Sequence, residues 1–138
     1  MLAIDLFSLQ QHQGHYQAWP KTSLLYYKGQ NLGIRIPGYV IEQQFALKDY
    51  YLLLVNWDCP FEEGCEVIVI SNALKVVGKY SFTPFLNSYA LSSISETTTN
   101  QFQLVFNQTE IFSLRINYPK THWFSRIIKV EKISPDIS

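Results

Sequence analysis

Residues 50–82 decide the fold, and they read YYLLLVNWDCPFEEGCEVIVISNALKVVGKYSF. Three short runs rich in β-branched and aromatic residues, 50–55, 67–70 and 75–82, are separated by segments that hold Pro, Gly, Asn and Ser. Apolar runs of this length, with this punctuation, are typical of buried strands joined by hairpins. The stretch therefore predicts three buried antiparallel strands.

A second signal lies further along the chain, where residues 101–118 alternate between apolar and polar side chains. Phe102, Leu104 and Phe106 precede a polar turn at residues 107–110, and apolar residues recur at 112, 114, 116 and 118 after it. A period of two places the apolar side chains of each strand on one face and the polar ones on the other. This segment predicts a hairpin with one buried and one wet face.

Weaker signals of the same kind predict strands at residues 1–9, 23–27, 31–36, 39–45, 89–94 and 121–133. No segment carries a helical period beyond one or two turns. Roughly nine or ten strands joined by hairpins predict an all-β fold, either an antiparallel β-sandwich or a barrel-like meander, with two packed sheets as the economical arrangement. The residues that we expect in the core include Val55, Val69, Val77, Leu104 and Leu114.

The composition limits the class of protein. A chain of 138 residues predicts one domain over residues 1–138, with a frayed tail at 134–138. Apolar residues make up 47% and charged residues 16%, a balance that excludes a disordered chain or a coiled coil. Lys and Arg together number 11, as do Asp and Glu. Without a basic excess to displace counterions, nucleic acid is not an expected partner.

The N-terminal residues and the cysteines indicate a compartment. Residues 1–9 lack a basic region and carry Asp5 within the apolar stretch, so they do not resemble a secretory signal. No apolar run approaches the roughly 20 residues that span a bilayer. We therefore expect a cytoplasmic protein without a membrane partner, in which Cys59 and Cys65 are reduced; a disulfide between them is the alternative.

No motif in the sequence supports catalysis. The pair His12 and His15 lacks the third and fourth ligands that a metal site needs, and we expect both to be solvated loop residues. His122 has no nucleophile or carboxylate beside it and fits a surface or capping role. Glycine-rich phosphate loops and nucleophile elbows are absent from the sequence. We expect no enzyme activity, no catalytic residues, no metal and no cofactor.

Charge is unevenly distributed along the chain. Residues 42–66 hold six carboxylates and one base, whereas residues 115–132 hold five bases and one carboxylate. The two regions could simply neutralise each other across neighbouring strands. Alternatively, the first region forms an aromatic patch with a negative rim that binds a basic partner protein. The residues expected to bind that partner are Trp57, Asp58, Phe61, Glu62, Glu63 and Glu66. A calcium site is disfavoured, because no Asp-x-Asp spacing or Gly-centred loop accompanies these carboxylates.

These observations favour a protein that acts by binding. The leading hypothesis is an immunity or inhibitor protein that neutralises a toxin in the bacterial cytoplasm, with a basic toxin or nuclease domain as the target. The alternative is a β-sandwich that binds a small ligand or a glycan through exposed aromatic side chains, for which Trp19 and Trp57 are the candidates. An enzyme with a scattered active site is the third hypothesis. The sequence predicts no oligomeric state.

Overall fold

The computed structural model describes residues 1–57, 64–82, 91–120 and 126–133. Its helical content in that part of the chain is a single turn of 3-10 helix at Tyr16–Ala18, and all other regular structure is strand. The strands are β1 (Leu2–Ala3), β2 (Phe7–Leu9), β3 (Thr22–Tyr27), β4 (Gln30–Pro37), β5 (Val40–Ala46), β6 (Tyr50–Asn56), β7 (Cys65–Ser71), β8 (Val76–Phe82), β9 (Leu91–Thr98), β10 (Gln101–Phe106), β11 (Glu110–Ile116) and β12 (Ile128–Ile133). The predicted all-β fold is confirmed.

The strands form three antiparallel sheets. The largest has the order β1-β5-β6-β7-β8, the second has the order β12-β11-β10-β9, and the third has the order β2-β3-β4. Most neighbours in a sheet are also neighbours in the chain, so hairpins make most of the connections. The exception among the described strands is β1, which pairs with β5, so that the chain leaves the five-stranded sheet after β1 and returns to it at β5.

The five-stranded sheet lies in the middle, with one of the smaller sheets on each face. Leu52 and Leu54 of β6 pack on the four-stranded sheet, which contributes Leu104 and Leu114 to this first core. The residue between them, Leu53, points the opposite way and packs on the three-stranded sheet in a second core. Adjacent residues of one strand therefore enter different cores, because side chains alternate between the faces of a sheet.

The strands β6 and β7 are consequently buried on both faces. Residues 52–55 and 67–70 are fully inaccessible to solvent. This two-sided burial explains why both segments read as unbroken apolar runs, whereas β10 and β11, which are covered on one face, alternate. The sequence analysis favoured two packed sheets and thus missed the third layer.

The strands predicted at residues 23–27 and 31–36 form the hairpin of β3 and β4. Its two-residue loop, Lys28 and Gly29, has positive φ angles of 50° and 79°. This geometry belongs to the primed turns whose twist matches that of paired strands. The registers of β10 and β11 also agree with the sequence analysis, since Phe102 faces Leu114 and Leu104 faces Phe112.

The predicted strand at residues 1–9 is wrong in one respect, because the structure divides it into β1 and β2. The side chain of Gln44 on β5 stabilises the chain where it divides between the two sheets. Its side-chain oxygen accepts hydrogen bonds from the backbone N–H groups of Leu6 (2.9 Å) and Phe7 (2.8 Å), and its amide nitrogen donates to the Phe7 carbonyl (3.0 Å). One side-chain amide thus satisfies the backbone where the chain changes sheets.

Other predicted strands differ from the observed ones at their ends. Within the predicted strand at residues 121–133, the structure describes residues 126–133 and β12 begins at Ile128. Residues 121–125, residues 89–90 and the tail at 134–138 lie outside the described residues. Four of the predicted core residues, Val55, Val69, Leu104 and Leu114, are fully buried. The fifth, Val77, is partly buried and packs against the first core.

The three-layer arrangement predicts an unusual pattern of mutational cost on β6. Truncating either of two consecutive residues, Leu53→Ala or Leu54→Ala, should lower the free energy of unfolding by about 2–5 kcal/mol, because each lies in a well-packed core. On β10, only one of two neighbours should be costly: Leu104→Ala should match the β6 variants, and Gln103→Ala on the outer face should cost under about 0.5 kcal/mol.

Denaturant unfolding of the four variants measures these differences. A Leu53→Ala variant as stable as the wild type would mean that the three-stranded sheet does not cover this face of β6.

Candidate functional site

One end of the five-stranded sheet is marked by a single row of paired residues. Val40 faces Asn56, Asn56 faces Cys65, and Cys65 faces Phe82. The starts of β5 and β7 and the ends of β6 and β8 therefore lie at this end. The predicted site residues Trp57 and Glu66 flank this row in the chain, so the fold brings the segment after β6 to this end.

Five rings form an aromatic cluster at this end: His12, Tyr16, Trp19, Tyr39 and Trp57. Tyr39 is at the centre, with ring centroids 5.1 Å from Trp19, 5.2 Å from His12 and 5.2 Å from Trp57. Most of these contacts are edge-to-face, the arrangement in which the positive edge of one ring meets the negative face of another. Tyr39 is buried, and the other four rings are partly exposed.

The cluster is built from chain segments that are distant in sequence. The connection between β2 and β3 supplies three of its rings, the residue before β5 supplies Tyr39, and the residue after β6 supplies Trp57. Tyr39 follows Gly38, which has a positive φ of 99° and lies so close to Val55 that a Cβ at this position would collide with the valine side chain. Glycine is required here by both conformation and space.

Hydrogen bonds hold the connection between β2 and β3 over this end. The Tyr39 hydroxyl donates to the Pro20 carbonyl (2.8 Å), and Trp19 Nε1 donates to the Gln13 carbonyl (3.2 Å). The buried Ser23 hydroxyl donates to the Gly38 carbonyl (2.7 Å). Since a hydroxyl has one proton to give, the 2.8 Å contact between Ser23 Oγ and His12 Nε2 has the histidine as donor.

The contact between His12 and Ser23 is therefore structural in character. In a serine nucleophile, the hydroxyl donates its proton to the histidine. Ser23 Oγ instead accepts a hydrogen bond from His12, and Ser23 is fully shielded from solvent. The expectation that His12 is a solvated loop residue is wrong, since its ring is packed among aromatic side chains. His15 is exposed, as expected. His122 lies outside the described residues.

Glu66 occupies an unexpected position. It lies on β7, is only 6% exposed, and accepts hydrogen bonds from Trp57 Nε1 (3.2 Å) and from Ser81 Oγ. The sequence analysis placed this carboxylate on a negative rim; the structure instead places it beneath Trp57. The reason is the register of β7, in which Glu66 faces Val55 of the buried strand β6.

The other sequence-predicted site residues are distributed as follows. Trp57 is partly exposed and packs edge-on against Tyr39. Asp58, Phe61, Glu62 and Glu63 lie outside the described residues. The sequence analysis did not select His12, Tyr16 and Tyr39, which the structure brings together with Trp19 and Trp57. Their signal in the sequence is the density of rings at 12, 16 and 19 within an otherwise polar connection.

Charge around the aromatic cluster is mixed in the part of the chain that the structure describes. Glu42 on β5 is exposed, and Asn56 Nδ2 donates to its carboxylate over 3.5 Å. Arg35 on β4 is also exposed and donates to the side chain and the carbonyl of Thr22, each over 2.8 Å. A net negative field at this end therefore depends on Asp58, Glu62 and Glu63.

Cys65 is a free thiol at the base of the site. This agrees with the reduced state expected for Cys65, while Cys59 lies outside the described residues. Burial, with smaller contributions from the carboxylates of Glu42 and Glu66, raises the pKa of the Cys65 thiol to about 12. A thiol kept neutral in this way is a poor nucleophile and acts as a small core residue.

Neither a metal site nor a membrane-spanning helix is found in the described segments. No three His, Cys, Asp or Glu side chains in these ranges converge closely enough to hold an ion. No helix in the same ranges has the length and apolar character that crossing a membrane requires. Comparisons with protein-family models, with curated proteins and with solved structures find no match.

The link between Trp57 and Glu66 predicts a specific stability effect. Trp57→Phe keeps a ring on Tyr39 but removes a donor to a buried carboxylate, so it should lower the free energy of unfolding by about 1–3 kcal/mol. The further substitution Glu66→Met removes the carboxylate that has lost its donor. The free energy of unfolding of the double variant should therefore fall by less than the sum of the two single effects. Trp19→Phe, whose indole N–H donates at an exposed position, is the control and should cost under about 1 kcal/mol. Additive effects of Trp57→Phe and Glu66→Met would contradict the link.

Burial of Cys65 predicts its reactivity and its effect on stability. In a Cys59→Ser background, a thiol reagent should label no cysteine in the folded protein and one after unfolding. The pKa of the folded state exceeds the unfolded value of about 8.5, so the folded state keeps the proton longer. Stability contributed by Cys65 should be complete below about pH 8.5 and should fall as pH rises toward 12. Rapid labelling of the folded protein at neutral pH would show that the thiol is accessible.

Proposed function

We propose that this chain is a non-catalytic binding protein of the immunity or inhibitor type, which neutralises a toxin protein in the bacterial cytoplasm. The observation that carries the proposal is the aromatic cluster, because it places partly exposed Trp and Tyr side chains on a fixed scaffold. Trp and Tyr are the residue types that most often contribute the dominant share of binding energy at protein interfaces.

Preorganisation is the first argument for a protein partner. Four of the five rings have a polar atom engaged in a hydrogen bond of 3.2 Å or less within the chain. The fifth, Tyr16, directs its hydroxyl to the Trp57 carbonyl at 3.5 Å. Rings that are already ordered lose little side-chain entropy when a partner covers them, and this loss is a main cost of association.

The same hydrogen bonds argue against the glycan alternative. A sugar is recognised by stacking on a ring together with hydrogen bonds from side chains at fixed positions around it. In this cluster the ring N–H and O–H groups are occupied by protein acceptors. The cluster thus offers apolar ring surface and few free polar groups, which suits a protein interface better than a sugar site.

The acidic residues after Trp57 supply the second argument. Asp58, Glu62 and Glu63 follow the cluster directly in the sequence and add three carboxylates to the connection between β6 and β7. Negative charge beside aromatic anchors favours a basic partner, because complementary charge accelerates association. A toxin domain with a basic cleft, such as a nuclease, has the matching charge.

The aromatic anchors and the acidic residues should affect binding in different ways. Trp19→Ala should raise the off-rate by roughly 30-fold, as expected for the loss of an anchor worth about 2 kcal/mol. Glu62→Lys should instead lower the on-rate and weaken its dependence on salt. The partner is first captured with the wild-type chain from a lysate of the source organism, and the kinetics are then measured at two salt concentrations.

Asp49→Lys is the matched control for Glu62→Lys. It makes the same change of charge in the turn between β5 and β6, at the opposite end of β6. It should change the on-rate far less than Glu62→Lys. Equal effects of the two variants would show that only the net charge matters. Binding of a glycan array by the wild type, abolished by Trp19→Ala without any captured protein, would support the alternative.

A further inference from the structure

The outer edges of the three sheets differ in how they are protected against pairing with a strand of another chain. An edge strand presents unpaired N–H and C=O groups, and natural proteins shorten, bulge or interrupt such strands to prevent unwanted pairing. Here β1 and β2 are only two and three residues long. The pairings of β4, β8 and β9 with their neighbours contain register shifts, and β4 also ends in Pro37.

The strand β12 is long and regular, and its protection is limited to the charged side chains of Lys129, Glu131 and Lys132. It pairs with β11 over six consecutive residues, from Ile116 opposite Ile128 to Ile111 opposite Ile133, without a register shift. Its sequence, IKVEKI, contains neither Pro nor Gly. Four of its six residues are exposed, and Ile133 is 40% exposed despite being apolar. Among the described edges, β12 is thus the one that remains regular along its length.

The hydrogen bonds identify the backbone groups that face outward. Asn117 N–H donates to the Ile127 carbonyl (2.7 Å), which extends the register of β11 and β12 by one pair. Because consecutive residues of a strand direct their backbone groups to opposite sides, those of Lys129, Glu131 and Ile133 also face β11. The N–H and C=O groups of Ile128, Val130 and Lys132 therefore face the open side.

We propose that β12 pairs with β12 of a second copy of this chain, antiparallel and about a two-fold axis at Val130. The sequence of the strand is complementary to itself in this register. Lys129 of each copy lies opposite Glu131 of the other, which gives two pairs of opposite charge on the outer face. Val130 lies opposite Val130, and Ile128 lies opposite Lys132.

This register uses the outward backbone groups completely. The three pairs at Ile128, Val130 and Lys132 form six inter-chain hydrogen bonds, two for each pair. On the inner face, Ile128 belongs to the first core and Val130 packs against it. The two four-stranded sheets would join into one of eight strands, whose inner face is apolar at Val130 and is flanked by Lys132 of each copy beside Ile128 of the other. Moving the two-fold axis by one residue would place Lys129 opposite Lys129, or Glu131 opposite Glu131, so charge selects the axis at Val130.

Charge reversal tests the pairing. In sedimentation at low salt, the wild type should form a species of twice the 16.1 kDa chain mass. Lys129→Glu or Glu131→Lys alone creates two like-charge pairs and should raise the dissociation constant about tenfold or more. The double variant, Lys129→Glu with Glu131→Lys, recreates two opposite-charge pairs and should restore the dimer to within about threefold of the wild type.

The same variants also test whether a lost dimer results from a loss of folding stability. Lys129 lies directly opposite Arg115 on β11, so Lys129→Glu replaces a like-charge pair within the chain by an attractive one. A dimer lost in this variant is therefore not lost through destabilised strands, and melting temperatures verify this. A dimer that survives both single variants unchanged, or a double variant that stays monomeric, would overturn the proposed register.

Cysteine cross-linking tests the position of the axis. In a Cys59→Ser background, Val130→Cys should form a disulfide between two chains, since hydrogen-bonded pairs have Cα atoms about 5.5 Å apart. Lys132→Cys, which faces Ile128 of the other copy, is the matched control and should not cross-link.

A wild-type chain that is monomeric at every concentration would refute the dimer. The open edge of β12 would then face solvent or a strand of another protein. Open-ended oligomers would refute the two-fold axis.

Discussion

The rest of the structure depends on the burial of β6 and β7 on both faces. Their inner residues are apolar on both sides, so neither face of the central sheet can be left to water. Covering both faces requires two further sheets: β2, β3 and β4 form the three-stranded one, and β9 to β12 form the four-stranded one. Hydrophobic burial on both sides of a sheet therefore determines the number of layers.

This arrangement also determines where the aromatic cluster forms. The three-stranded sheet is small, and its strands end near the row that runs from Val40 to Phe82. The connection from β2 to β3 has to cross this end of the molecule, and it brings His12, Tyr16 and Trp19 onto Tyr39. The cluster thus lies beside Gly38, which is in close contact with Val55 of the second core. Its rings pack on one another, and four of them stay partly exposed within the described part of the chain.

Local sequence patterns predicted the strands and hairpins well, but they could not predict the third layer. The period of two in β10 and β11 is a local feature, and the hairpin that it predicts is observed. The division of residues 1–9 between two sheets depends instead on the distant side chain of Gln44, for which no nearby residue gives a signal. Among the site residues, the acidic neighbours of Trp57 identify it as a candidate, whereas Tyr39 has the sequence context of an ordinary aromatic residue in a strand.

Glu66 shows how such an error arises and how the sequence could have corrected it. Its place after Glu62 and Glu63 suggests a loop carboxylate, but it is followed by the run Val67 to Ile70. Because that run is apolar at every position, both faces of its strand must be buried, and a residue within the strand shares that environment whatever its charge. A carboxylate there needs donors, and Trp57 and Ser81 provide them. Glu66 therefore belongs to the packed end of β7, where it accepts a hydrogen bond from Trp57, and not to the acidic rim that the sequence predicts.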